Sequence, residues 1–435
     1  MKRQTKVCLS QLLICLGTHQ AIMLAIGVGL AGIMTFSGCT KPSTEELDQA
    51  LVLYRQNQLN EALPLFEQAV AKNKNNAEAH AWLAETYRRL GKRDEAIKMA
   101  RRAIALDPCN SFAHTIIGDA YNPIYSTWES VNADSTWTHL QKAVACDSTD
   151  GNAWVSIWGE AIRRGDLPMM KRALPAAFRS GFFAKAALAY NRWMLRHLPE
   201  QTLLVTNGDM DTYPAVALQE AVGLRTDVAV VNRSLLNTTW YARFIRDHYK
   251  LSLPVSDSQL DSLGAFKDQQ GNLVTVSDQI LQAWLKQKAS GEFSRPIAFS
   301  VTVDPSFTNT IKDRLQMVGP FSLWQAKPAP AMPDTAMLRS NLASIAPDDF
   351  AGPFASAQDR SPVRQTFTNG IVTNVTATAL TYSEALIKSG DFSEAQKWLN
   401  WAEEFEKKTQ FGPAFKEQIA SLKEAARRGI EHGKQ

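Results

Sequence analysis

The sequence predicts an α-helical solenoid, followed by a small α/β domain and a closing helical unit. Three observations carry that expectation. Residues 43–110 match themselves every 34 positions, with a degenerate unit at 111–150 and a weaker one at 151–184, and short apolar runs alternate with helical stretches from Leu203 to Ala326. The same 34-residue template returns at 376–409. At 435 residues the chain exceeds one ordinary core, so several domains are expected. A composition of 45% hydrophobic and 21% charged residues is that of a folded protein.

The chain opens on a positive stretch, Lys2-Arg3-Gln4-Thr5-Lys6, and then carries no Asp, Glu, Lys or Arg from Val7 to Gly38. That is the build of an export segment. Phe36-Ser37-Gly38-Cys39-Thr40 resembles a lipoprotein processing site, in which small residues admit an extended chain to the peptidase and the Cys39 thiol accepts the lipid. Residues 1–38 are therefore read as a lipoprotein signal peptide, with the remainder held by lipid at the cell envelope and facing the periplasm. The alternative is a single uncleaved transmembrane anchor, since an apolar stretch of this length can span. Without residues 1–38 the chain keeps 44 basic against 43 acidic residues, which leaves no electrostatic footprint for nucleic acid.

Two cysteines remain beyond residue 39, Cys109 and Cys146. They stand about one repeat apart, where α-carbons are commonly beyond the roughly 7 Å limit for bridging. Two unpaired thiols are favoured over a disulfide. No Cys/His spacing suggests zinc, and no metal or other cofactor is expected.

In the repeats, 43–76 aligns with 77–110 through Ala50 and Ala84, Leu53 and Tyr87, Ala62 and Ala96, Ala69 and Ala103, and Asn76 and Asn110. His114, Gly118 and Tyr121 continue the register into a degenerate unit at 111–150, interrupted around 122–134, and a weaker unit follows at 151–184. Small residues let two antiparallel helices approach, Leu83 and Tyr87 fill the space between them, Gly91 turns the chain and Pro108 stops the second helix. With Leu83, Ala84, Tyr87, Gly91, Ala96, Ala103 and Pro108 in place, this unit resembles a tetratricopeptide repeat (TPR). The resemblance implies a curved stack whose first helices line a concave groove for a protein or peptide segment. Tyr54, Arg55, Glu78, Glu85, Arg88, Arg89, Phe112 and Asp119 are the expected lining. Otherwise these charges form a plain solvated helix face.

From Leu203 the texture changes. Leu203–Asn207, Asp227–Asn232, Ile297–Val303 and Phe321–Ala326 are continuous apolar strands separated by helical stretches, so residues 185–326 are expected to form a Rossmann-like α/β layer on a mostly parallel sheet. Asn207-Gly208-Asp209, Asp211-Thr212, Pro214, Arg225-Thr226-Asp227-Val228, Asn232, Leu235, Asn237 and Trp240-Tyr241 occur there in order. With Arg295–Val303 and the tail around Tyr382–Glu404, they make residues 185–405 similar to the soluble carboxy-terminal region of bacterial protein O-mannosyltransferase-like membrane proteins. That family's membrane-embedded helices, where transferase chemistry belongs, are not in this sequence, so glycosyl transfer is not expected of it.

Asp209 and Asp211 follow a strand end, where open α/β sheets bind ligands. With Asn207, Asn232 and Asn237 they are the candidate ligand set, and an Asp-x-Asp pair could hold a cation. The plainer reading is turn and helix-cap chemistry, and no nucleophile–base set accompanies the acids. Residues 327–365 are Pro- and Ala-rich and read as a linker, and 366–435 as a helical TPR-like unit. The expected function is an envelope-anchored scaffold or adaptor, serving an envelope or glycosylation assembly. The alternative is a cation-binding or hydrolytic module centred on Asp209 and Asp211.

Overall fold

The computed structural model describes residues 45–124, 132–330, 332–356, 359–409 and 414–432. The signal segment 1–38 and Cys39 lie outside them. Among the described residues no helix is long and apolar enough to cross a membrane.

The repeats fold as consecutive helical hairpins. α1 (Glu45–Arg55) packs on α2 (Leu59–Lys72), and α3 (Ala77–Arg89) on α4 (Arg93–Leu106). α5 (Ser111–Tyr121) then packs on α6 (Ala133–Cys146), and α7 (Gly151–Arg164) on α8 (Leu167–Arg179). The aligned residues do the expected work. Asn76 and Asn110 cap α3 and α5 by accepting from the Ala79 and Ala113 N–H groups at 3.1 and 2.9 Å. Gly91 turns the second hairpin at φ +74°, and Asn57 does so in the first at φ +61°, a conformation Asn tolerates better than most side chains. Ala50, Ala84, Ala96 and Ala103 are fully buried where helices cross. At Gly118 the α5–α6 crossing is closer still, since a Cβ there would lie 2.8 Å from the Leu140 side chain.

Cys109 and Cys146 form a disulfide, with α-carbons 5.2 Å apart. The expectation of two free thiols is therefore corrected. Cys109 sits in the turn after α4, and that turn doubles back beside the last residue of α6. Spacing along the repeat does not become distance across it.

After α9 (Lys185–His197) the chain enters its α/β layer. β1 (Leu203–Thr206), α10 (Asp209–Val222), β2 (Ala229–Asn232) and α11 (Thr239–Tyr249) come first. They are followed by α12 (Asp257–Ser262), the short hairpin β3 (Phe266–Lys267) and β4 (Leu273–Val274), and α13 (Val276–Ser290). β5 (Ile297–Ser300), α14 (Pro305–Thr308), β6 (Leu315–Met317) and β7 (Phe321–Trp324) complete it. Among the described residues the main sheet runs β2-β1-β5-β7-β6. β1 is parallel to both β2 and β5, whereas β7 is antiparallel to β5 and to β6. The sheet is thus mixed rather than mostly parallel. The turn joining β6 to β7 is too short for a crossover, and only an antiparallel partner can follow it. The coarser expectation, a small sheet set within a mostly helical chain, stands.

The stretch read as a linker contains α15 (Thr335–Ala343) and leads into α16 (Arg364–Ser389), which starts twelve residues before the expected repeat template at 376. α17 (Phe392–Thr409) packs back on α16 after Gly390, and α18 (Lys416–His432) closes the stack. One hydrophobic core runs from Leu140 and Trp154 through Val205, Val231 and Phe299 to Val375, Phe405 and Ala426. The later hairpins, the sheet and the carboxy-terminal helices therefore share an interior, while the first two hairpins rest on smaller apolar clusters.

Candidate functional site

The first helix of each hairpin contributes to one face, and the site is built there. Tyr54, Trp82 and Phe112 form an edge-to-face ladder across successive first helices, with ring centroids 5.2 and 4.8 Å apart, and Phe66 of α2 backs Tyr54 at 6.3 Å. This geometry suits the ring quadrupoles and fixes the rings relative to each other.

Beside the ladder lies a charge cluster. Glu85 is 3% exposed and accepts two bonds from Arg88, both at 2.7 Å, and one from Arg89 at 2.8 Å. Burial would raise its carboxyl, but the two guanidiniums overcome that and hold it down at about 2. Asp119, one repeat further on, accepts from Ser156 at 2.7 Å, and burial pushes its carboxyl up to about 6 against the pull of Arg88. Glu85, Arg88 and Arg89 are not a plain solvated face, because Glu85 would be a stranded charge without both arginines. The same string recurs in α7, where Glu160 holds Arg163 and Arg164 at 2.6–2.7 Å.

A cavity of about 200 Å³ is lined by Glu85, Arg88, Arg89, Phe112 and Asp119 from the repeats, by Asp209 from α10, and by Arg360 and Arg364. A second, of about 510 Å³, adjoins Tyr54, Arg55, Trp82, Asp150 and Arg360. Between them runs a strap of the chain itself, residues 359–363. Arg360 stacks 4.2 Å from the centroid of the Phe112 ring and donates to Asp150 at 2.9 Å. The Tyr54 hydroxyl lies 3.1 Å from the Arg360 carbonyl and 3.3 Å from Glu85, sharing its one proton between them. Arg364 pairs with Asp359 and lies over the Phe182 ring at 5.2 Å.

Of the expected groove residues, Tyr54, Glu85, Arg88, Arg89, Phe112 and Asp119 come together and Arg55 stands at the rim. Glu78 is exposed on the first turn of α3 and lines neither cavity. The second expected set is split. Only Asp209 faces a cavity, and burial raises its carboxyl while Arg364 opposes the rise. Asp211 is 1% exposed and committed to the Asn207 and Gly208 N–H groups and the Thr302 hydroxyl, which is cap chemistry. Asn232 bonds Thr212 and the Leu235 N–H, and Asn237 accepts from the Ser277 N–H at 3.0 Å. Asp209 and Asp211 do not converge on one point, and among the described residues no group of acids, His or Cys is arranged to hold a metal. Sequence reasoning missed Trp82, Asp150, Ser156, Arg360 and Arg364. The recurring Glu-x-x-Arg-Arg string could have flagged the buried charges; nothing local marks the strap.

The two carboxyls give opposite pH signatures. Glu85, depressed on folding, contributes stability that is complete above about pH 4.5 and is lost as pH falls toward about 2. Asp119, raised on folding, weakens the fold when ionised, so its protonation between about pH 6 and 3.8 restores stability. Urea denaturation should show Asp119→Asn removing the gain between pH 7 and 4. At neutral pH, Glu85→Gln should cost about 1–3 kcal/mol by leaving two guanidiniums, each still about a quarter exposed, without their counter-charge. A Glu85→Gln chain as stable as the parent would contradict the buried-pair assignment.

A family model for the tetratricopeptide repeat matches residues 53–113, and one for TMEM260-associated domain 2 matches residues 187–290. No curated protein sequence matches the chain. Among solved structures, a thermophilic TPR protein of Thermus thermophilus is 17% identical with a TM-score of 0.31, over 47% of this chain and 95% of its own. The MamA protein is 16% identical with a TM-score of 0.27, over 48% of this chain and 95% of its own. The expected likeness to O-mannosyltransferase-like membrane proteins is not shown by these matches. Over residues 53–113 the chain is thus similar to tetratricopeptide repeats, and over residues 187–290 to TMEM260-associated domain 2.

Proposed function

We propose that this chain is an envelope-anchored scaffold that collects a partner protein on the concave face of its repeats. One observation carries the reading. The aromatic ladder and the arginine cluster border open cavities, and beside those cavities the face already holds a turn-rich segment of polypeptide, the chain's own strap. A surface that binds main chain and side chain in this manner is suited to a segment of another protein. Anchoring is supported by the sequence of residues 1–39, and an oxidising compartment by the Cys109–Cys146 disulfide. The alternative of a cation-binding module loses its geometric basis because Asp211 is occupied as a cap.

Site-specific photo-crosslinking in cells tests the scaffold. A photoreactive residue at Arg55, on the cavity rim, should yield a discrete protein adduct, and one at the exposed Lys98 of α4 should not. No adduct at Arg55, or the same adducts at both positions, would sink the groove reading. Anchoring has its own check: radiolabelled palmitate should enter the native chain and fail to enter Cys39→Ser. Equal labelling of the two would exclude Cys39 as the lipid site.

A further inference from the structure

The socket around Arg360 is built by the repeats alone. Asp150, at the start of α7, has a side chain with no exposed surface, yet its carboxylate is fixed before Arg360 is considered. Oδ2 accepts from the Ser111 hydroxyl at 2.7 Å and lies 3.2 Å from the Thr115 hydroxyl, which shares its one proton with the Ser111 carbonyl at 3.0 Å, and Oδ1 accepts from the Ala153 N–H at 3.3 Å. Phe112 is held by Trp82, and Trp82 by Tyr54. An aromatic face, a buried carboxylate aimed across it and a hydroxyl placed for the main-chain carbonyl together match one side chain. A guanidinium is planar, stacks on rings and donates along its edge, whereas an ammonium is more strongly hydrated and does not stack flat.

We propose that Tyr54, Phe112 and Asp150 form an arginine receptor, filled in cis by Arg360, and that a partner enters by offering a segment with an arginine of its own. This rests on the concave face being the partner-binding surface. The occupant follows from charge complementarity: Asp150 in its desolvated socket favours a cation, and the residue it already holds is an arginine. The cavities of about 200 and about 510 Å³ on either side of the strap leave room for the flanks of a longer segment. The Arg364–Asp359 pair ties the strap to the start of α16, where Arg364 also lies over the Phe182 ring, so Arg360 can leave the socket while that end of the strap stays anchored.

The test uses a labelled peptide of residues 355–366 (ASAQDRSPVRQT) added in trans to the full chain. The Arg360→Ala chain should bind it at least about tenfold more tightly than the native chain, whose socket is filled. The peptide carrying Ala in place of that arginine should lose about tenfold or more on the Arg360→Ala chain, as expected for a charge-assisted bond plus ring stacking. Adding Asp150→Asn should produce the same loss. Equal binding of the arginine and alanine peptides, or no binding to a folded Arg360→Ala chain, overturns the proposal. If Arg360→Ala does not fold, Arg360→Lys supplies a poorer cis occupant and should admit the arginine peptide severalfold better than the native chain; failure to do so is equally decisive. An Arg55 crosslink that persists while the two peptides bind alike would refute arginine recognition and leave the scaffold standing.

Discussion

The contact between Asp150 and Arg360 joins residues 210 positions apart and decides what the first-helix face of the repeats can hold. A carboxylate with no exposed surface must be compensated, because desolvating it unpaired costs several kcal/mol. Ser111, Thr115 and the α7 N-terminus supply part of that compensation, and the guanidinium supplies the opposite charge. The strap is thereby drawn against the first helices of the repeats, next to the start of α16. Without this requirement the strap would keep only the Phe112 stack, the Tyr54 hydroxyl and the Asp359–Arg364 pair to hold it there.

The same logic governs the neighbouring charges. Glu85 is buried because α3 and α5 approach closely, and it remains ionised only because Arg88 and Arg89 fold back onto it. Their alkyl stems cover the helix face while the heads serve the acid, an arrangement that long basic side chains allow. Asp119 occupies the equivalent position in the next repeat without an arginine pair following it, and its carboxyl rises accordingly. One repeat position thus carries two different electrostatic states, set by which residues come three and four places later. Behind this face the later hairpins continue into the sheet and the carboxy-terminal helices through a common core. That core fixes α10, so Asp209 is presented to the repeats at a set place rather than from a mobile neighbour.

What the sequence made legible is what depends on local order. The hairpins follow from 34-residue periodicity, small residues at helix crossings and Gly or Asn at the turns, all of which act within one or two repeats. Seven of the eight expected groove residues line one or other of the two adjoining cavities, because helical spacing places them on one face. Glu78 fails because it stands too early on α3. The sheet was legible as alternation but not in direction, since a buried strand reads the same either way, and β7 runs antiparallel to both β5 and β6. The disulfide depended on a turn doubling back. The strap was hidden for a deeper reason: its Pro- and Ala-rich surroundings resemble a linker, and its partners are set by tertiary packing. Asp211, a strong candidate as a letter string, proved to be satisfied by the backbone it caps.

A double-mutant cycle between Asp150→Asn and Arg360→Gln, read by urea denaturation of the single and double variants, tests the strap's hold most directly. A strap held by that pair requires the two substitutions to be non-additive, with a coupling of at least about 1 kcal/mol at neutral pH. Strict additivity would mean that Arg360 does not sit on Asp150 in solution, and the groove would lack the occupant that defines its chemistry.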